Sequence, residues 1–213
     1  MSHKINSNAM RMGISKTWKS KWYAEGDAYK EQLHQDLKIK KFVAENLDAA
    51  GLDSIEVSRS AGKVSVDAFV ARPGVAIGRG GTGIEDLNKK LKQMLKLEVD
   101  VKVKEVQKPD LSANILASEI VSGLKRRMPA KMLAQAAIEK AMGAGAKGIR
   151  VWIAGRINGA QQARTVKFSQ GAVPLHTLKA NIEFCSAVAQ TGDLGKFGVK
   201  VWVYRESKLD DQE

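Results

Sequence analysis

The sequence is poor in several residue types: one cysteine, Cys185, four prolines and three histidines occur in 213 residues, and aromatic side chains make up 6%. A single cysteine excludes an internal disulfide and fits a reducing cytoplasm. Cys185 itself reads as a small buried residue. His3, His34 and His176 lack the spacing with cysteine or carboxylates that a zinc site requires, so no metal and no cofactor is expected. No apolar run approaches the roughly 18 residues of a membrane helix, and neither a lipidation site nor an amphipathic anchor is evident, so no membrane partner is expected. The beginning of the chain carries no apolar core followed by a small-residue cleavage site, so no signal peptide is expected. Carboxylates are scarce as well: 23 Asp and Glu stand against 35 Lys and Arg, a net charge of +12. That excess attracts polyanions, nucleic acid foremost once a membrane is set aside. Glu85 and Asp86 are neighbours, but adjacent helical positions do not face each other. No nucleophile–base pair is suggested, so no catalytic residue is assigned and an enzyme is not expected.

What is present falls into blocks. Residues 1–27 form a basic arm in which Lys4, Arg11, Lys16, Lys19 and Lys21 interleave with Trp18, Trp22 and Tyr23, and the first carboxylate comes only at Glu25. Cations beside flat rings suit RNA, which offers phosphates and base faces. The same Trp18 and Trp22, four apart, could also pin the arm to its own domain.

Residues 28–107 read as one module. Tyr29, Leu33 and Leu37, then Phe42, Val43 and Leu47, recur at helical spacing up to a stop at Gly51. Ile55 and Val57, then Val64, Val66, Ala68 and Val70, alternate as two strands around an Ala61-Gly62 turn, and Pro73 ends the second. A short apolar segment at 75–77 leads through a glycine-rich turn into a helix with Ile84, Leu87, Leu91, Met94 and Leu95 inward. Leu97, Val99, Val101 and Val103 then alternate with charged residues as a strand.

After Lys108-Pro109-Asp110, residues 108–206 read as a second unit. Ser112 is the expected N-cap of a helix that ends at Arg126-Arg127-Met128-Pro129, and a second helix runs to Gly143 or Gly145. Strands are expected at 148–155, 160–168, 176–184 and 198–205, giving two helices on a four-stranded, mainly antiparallel sheet. Residues 207–213 form an acidic, flexible tail. The fold class is therefore α+β, twice over.

The sharpest motif is Ile77-Gly78-Arg79-Gly80-Gly81, an I-G-x-x-G turn between a short helix and a longer one. Without Cβ atoms the backbone can approach a phosphate, and the following helix start offers unpaired N–H groups. Alone the pattern fits many ordinary turns. The element order helix, strand, strand, short helix, glycine turn, helix, strand matches a type II KH module, which clamps about four nucleotides. No Walker-type Lys-Ser/Thr follows, and no ribose-binding acid is placed as in a dinucleotide fold. Arg150, Arg156, Arg164 and Lys167 lie in expected strands and their connecting turn, where they either line a second RNA face or decorate a solvated sheet.

Taken together, these motifs resemble bacterial-type small-subunit ribosomal protein three, the KH protein of the subunit head. The likeness spans residues 3–206: Arg11-Met12-Gly13-Ile14, Ala71-Arg72-Pro73-Gly74, Lys108-Pro109-Asp110-Leu111, Ala146-Lys147-Gly148-Ile149, and Val173-Pro174-Leu175-His176-Thr177-Leu178. The resemblance implies ribosomal RNA held by Arg72, Gly78, Arg79, Gly80 and Gly81 of the KH loop. The arm would contribute Lys4, Arg11, Lys16, Trp18, Lys19, Lys21 and Trp22, and the second unit Arg150, Arg156, Arg164 and Lys167. His176 joins the last group, beside the reading that it makes a structural hydrogen bond in its own turn. The resemblance also implies contact with ribosomal proteins ten and fourteen, and a place where messenger RNA enters, lined by Arg126, Arg127 and Lys131. Met132 and Gln135 stand where cations are common in relatives. Ser7 for a usual proline, Ala9 for a usual glycine and Ala172 for a frequent cation are further departures. The alternative is a free-standing KH RNA-binding regulator acting outside the ribosome.

Overall fold

The computed structural model describes residues 5–60, 63–95, 97–192 and 195–205, with the backbone alone at Arg79. The expected Ala61-Gly62 turn, the tail at 207–213 and Lys4 lie outside the described residues. The chain divides into two compact units, one from Trp18 to Pro109 and the other combining the first 17 residues with everything from Asp110 on. The arm read as one block is thus shared: residues 5–17 belong to one unit and 18–27 to the other.

In the unit from Trp18 to Pro109 the chain order is β1 (Ser20–Lys21), α1 (Gly26–Leu47), β2 (Leu52–Ser60), β3 (Lys63–Val70), α2 (Pro73–Ile77), α3 (Thr82–Leu95) and β4 (Glu98–Glu105). The sheet order is β1-β2-β3-β4; β2 and β3 are antiparallel and the two outer pairs parallel. Period-2 alternation places Val57, Val66 and Val101 in one cross-strand row, all of them buried. Each such side chain contributes about 1.5 to 3 kcal/mol of burial. Ile39, Val43 and Leu47 of α1 and Leu87 and Leu91 of α3 close the core.

Two expectations need correction here. Tyr29, Leu33 and Leu37 are exposed, because the buried face of α1 continues upward from Leu47, Val43 and Ile39 to Asp36. An i+4 stripe drifts off that face within two turns, and the true face is polar at its start because it meets Arg59. Met94 also points outward, at 53% exposure, whereas Leu95 packs on the core.

The other unit contains α4 (Ala113–Lys125), α5 (Ala130–Gly143), β5 (Gly148–Gly155), β6 (Arg164–Gly171), β7 (Asn181–Thr191) and β8 (Gly195–Arg205). Ser112 caps α4 as expected, its Oγ accepting from the Ile115 amide at 3.3 Å. The sheet order is β6-β5-β8-β7, antiparallel throughout. Ile149, Val151 and Ile153 on β5 and Val199, Val201 and Val203 on β8 face the helices and form the core with Leu116, Ile120, Ala134 and Ala137.

Two strands begin later than expected, at Arg164 and Asn181. Residues 157–159 form a single 3-10 turn before β6, and residues 172–180 are loop. Val173, Leu175 and Ala180 of that loop pack on Trp202 and Ile182 across the sheet face opposite the helices. The backbone carbonyls of Leu175, Thr177 and Ala180 serve an arginine instead of a ladder.

Candidate RNA-binding surfaces

Between α2 and α3 the chain makes a 3-10 turn over Arg79–Gly81. Gly78, Gly80 and Gly81 have φ of 73°, 66° and 83°, a region where a Cβ costs roughly 1 to 2 kcal/mol. At Gly80 a Cβ would meet nothing within 4 Å, so the backbone here stands open to solvent. Glycine at this position answers a conformational need, and the space outside it is open. Gly83 is different: an added Cβ would lie 2.9 Å from the carbonyl oxygens of Ala76 and Ile77, so it sets how closely α3 follows α2. Val75 and Ile77 leave apolar surface exposed beside the loop. Arg72 is exposed and donates from Nη2 to the Ala49 carbonyl at 3.0 Å.

The arm residues separate into distinct environments. Arg11 was expected on RNA, but it is fully buried inside the unit that holds residues 110–205. Its Nε donates to the Ala180 carbonyl at 2.7 Å, Nη1 to Ser7 at 3.0 Å, and Nη2 to Thr177 at 2.8 Å and Leu175 at 3.2 Å. Burial lowers this guanidinium's pKa from its ordinary value. The residue is a bolt for the 172–180 loop, since four of its five N–H donors are taken by backbone carbonyls of its own chain. Lys16 is half-buried and donates to Asn8 Oδ1 at 2.7 Å. Trp22 is half-buried too, its indole N–H on Asp36 and its ring beside Tyr29 and the Arg59 guanidinium. Lys21 pairs with Glu56 at 2.8 Å, and that hydrogen bond raises its pKa. Trp18, 67% exposed, and Lys19 present themselves to solvent.

In the other unit, strand register sorts the candidates. Trp152 pairs with Lys167, and Arg150 with Ser169, so Arg150 and Lys167 share the sheet face away from the helices. Arg164, paired with Gly155, has the register of the helix-covered face and is exposed at the strand start. Arg156 lies beyond β5 and donates to the Ala160 carbonyl at 3.0 Å. His176 is exposed in the 172–180 loop. Sequence reasoning missed Trp152 and Lys200, which stand in the same row as Lys167; their i, i+2 spacing to Arg150 and Trp202 was the available signal.

Arg126 and Arg127 at the end of α4 and Lys131 in the first turn of α5 are all exposed. Arg127 adopts φ 61°, and the Met128 amide bonds back to the Gly123 carbonyl at 3.1 Å, closing the helix end. Met132 and Gln135 continue along exposed positions of α5. Among the described residues no cluster of three or more His, Cys, Asp or Glu could hold a metal, and no helix is long and apolar enough to cross a membrane.

Comparison with known proteins bears directly on these surfaces. Residues 38–111 match the KH domain family, and residues 120–203 match the family described as Ribosomal protein S3, C-terminal domain. Small ribosomal subunit protein uS3 of Pelotomaculum thermopropionicum is 41% identical over 211 residues, covering 99% of this chain and 91% of its own length. The uS3 protein of Enterococcus faecalis is 43% identical over 205 residues, covering 96% of this chain and 93% of its own. The chain belongs to the uS3 family. A third uS3, from Bacillus cytotoxicus, is 40% identical across 100% of this chain and 96% of its own. Membership in uS3 makes the chain a structural, non-enzymatic protein of the small ribosomal subunit that binds RNA through a KH domain.

Proposed function

We propose that the chain anchors ribosomal RNA in the head of the small subunit by the turn at 78–81 and lines the path by which messenger RNA enters. The observation that carries the first half is the open, Cβ-free backbone at Gly80, next to the start of a 14-residue helix. Backbone amides and the positive helix end meet the sugar-phosphate strand there, with Arg72 and Arg79 adding charge. Trp18 and Lys19 extend the contact from the arm, and Arg150, Arg156, Arg164, Lys167 and His176 from the second unit. Lys16 and Lys21 add positive potential while keeping their internal partners. Lys4 belongs to the same proposed arm.

Arg126, Arg127 and Lys131 are the proposed messenger contacts, exposed where α4 ends and α5 begins. With Met132 and Gln135 beside them, the turn holds messenger RNA more than it opens its structure. Ribosomal proteins ten and fourteen are the proposed neighbours, and the cytoplasm is the compartment this role requires.

The test is the double substitution Arg79→Asp with Gly80→Asp, which blocks and repels the phosphate. Binding to small-subunit ribosomal RNA at about 0.1 M salt, where screening extends about 10 Å, is expected to weaken. Unchanged affinity would remove the loop from the interface.

A further inference from the structure

The face of the C-terminal sheet opposite the helices carries an arrangement that the ribosomal family alone does not explain. In cross-strand register, Lys167 on β6, Trp152 on β5 and Lys200 on β8 form one row. The neighbouring row places Arg150 beside Trp202, and Lys196 has the same facing through its pairing with Gln190. Among the described residues of the four strands, no carboxylate shares this face. Across β5, β6, β7 and β8 the single acidic residue is Glu183, paired with Val203 and therefore turned to the helix side, where it bonds Arg205 and the Ala113 amide.

We propose that this face binds single-stranded RNA, with an unpaired base stacked on Trp152 and its flanking phosphates gripped by Lys167 and Lys200. The inference rests on the RNA-binding reading above and specifies how a second surface takes part in it. The indole is already fixed: it meets Trp202 edge-on at 5.0 Å, so stacking a base on it requires little further ordering. Lys167 Nζ stands 4.8 Å from the ring centroid, a cation over the π face that can swing to a phosphate as the base takes its place. Ala154 and Gly198, paired in the next row, leave a low floor beside the indole. The other end of the face is closed by Val173, Leu175 and Ala180 over Trp202 and Ile182, and the half-buried Trp152 packs against the edge of that cluster, so a ligand meets the indole from its open side. A duplex hides its base faces and an acidic peptide has no use for an indole platform, so unpaired RNA is the occupant that uses both features.

The experiment uses the full chain and a fluorescent, unstructured oligouridine, read by anisotropy across a salt series. Lys167→Ser with Lys200→Ser is expected to weaken binding about tenfold and to flatten the log–log salt slope by about 1.4, two contacts at about 0.7 each. Trp152→Leu is expected to weaken binding fivefold or more, while Trp152→Phe keeps most of it. If the double lysine variant and Trp152→Leu bind like the parent while Arg79→Asp with Gly80→Asp is impaired, the sheet face is excluded and the KH reading stands. If none of these variants loses affinity, the RNA reading itself falls. Equal competition by polyglutamate of matched charge would make the face a general anion patch and overturn the stacking. The two lysines are exposed, so their variant remains decisive even if Trp152→Leu impairs folding.

Discussion

Trp22 donates its indole N–H to Asp36 Oδ2 at 2.8 Å, joining residues that precede the first helix of the KH unit to a carboxylate within it. Asp36 is 1% exposed, and it also accepts from Arg59 Nη2 at 3.1 Å and Ser20 Oγ at 3.2 Å. An asparagine would keep the shape but turn an NH₂ toward one set of these donors and leave Arg59 without its countercharge. Asp36→Asn is expected to destabilise the KH unit by about 3 kcal/mol, measured by chemical denaturation, since breaking a buried pair from one side is far costlier than losing an exposed one. A loss below about 1 kcal/mol would show that the cluster contributes little.

Arg11→Lys tests the internal role of the buried guanidinium. An ammonium cannot reproduce a planar fork reaching Ala180, Thr177, Leu175 and Ser7 at once. The expected cost is about 2 to 3 kcal/mol in the unit containing residues 110–205, from the lost charge-assisted hydrogen bonds. RNA affinity of the folded variant is expected to be unchanged. A variant with parental stability and weakened RNA binding would restore Arg11 to the interface.

Two glycines of the KH loop should fail in opposite ways. Gly83→Ala places a methyl 2.9 Å from two backbone carbonyls and is expected to cost about 1 to 3 kcal/mol of stability. Gly80→Ala has room for its methyl, so its stability cost is the φ penalty of about 1 to 2 kcal/mol, while the methyl stands where the phosphate would approach. Thermal melts paired with RNA titrations separate the two, and loss of affinity in the folded Gly80→Ala protein is the expected signature.

Salt dependence provides a global check. If six phosphates are neutralised, affinity falls with a log–log slope of roughly four to five. A flat response would point to docking through protein contacts alone.

Much of the fold was legible because its signals are local. The Ser112 cap, the alternation through Val99 and Val101, and the glycine turn each show themselves within a few residues. Other features depend on distant partners. The start of the α1 face could not be phased from apolar residues because its buried member is Asp36, whose partner Arg59 lies 23 positions away. The strand expected at 176–184 began late because Leu175, Thr177 and Ala180 spend their carbonyls on Arg11. For the candidate surfaces, residue type identified Arg150 and Lys167 but not their common face, which only the pairing with Ser169 and Trp152 reveals.

Asn8 holds both backbone groups of Phe184, its Nδ2 donating to the carbonyl at 2.7 Å and its Oδ1 accepting the amide at 3.1 Å. With Arg11, it ties residues 5–17 to segments translated 164 to 176 positions later. At roughly 5 to 20 residues per second, the nascent segment must wait on the order of ten to thirty seconds for its docking site. Trp18 to Pro109 can fold within that interval, whereas the unit that closes around Arg11 has to be stitched together from stretches that leave the tunnel before and after it. Vectorial synthesis therefore imposes an order of assembly on this chain, and residues 5–17 remain available to a chaperone until residues 175–184 have emerged.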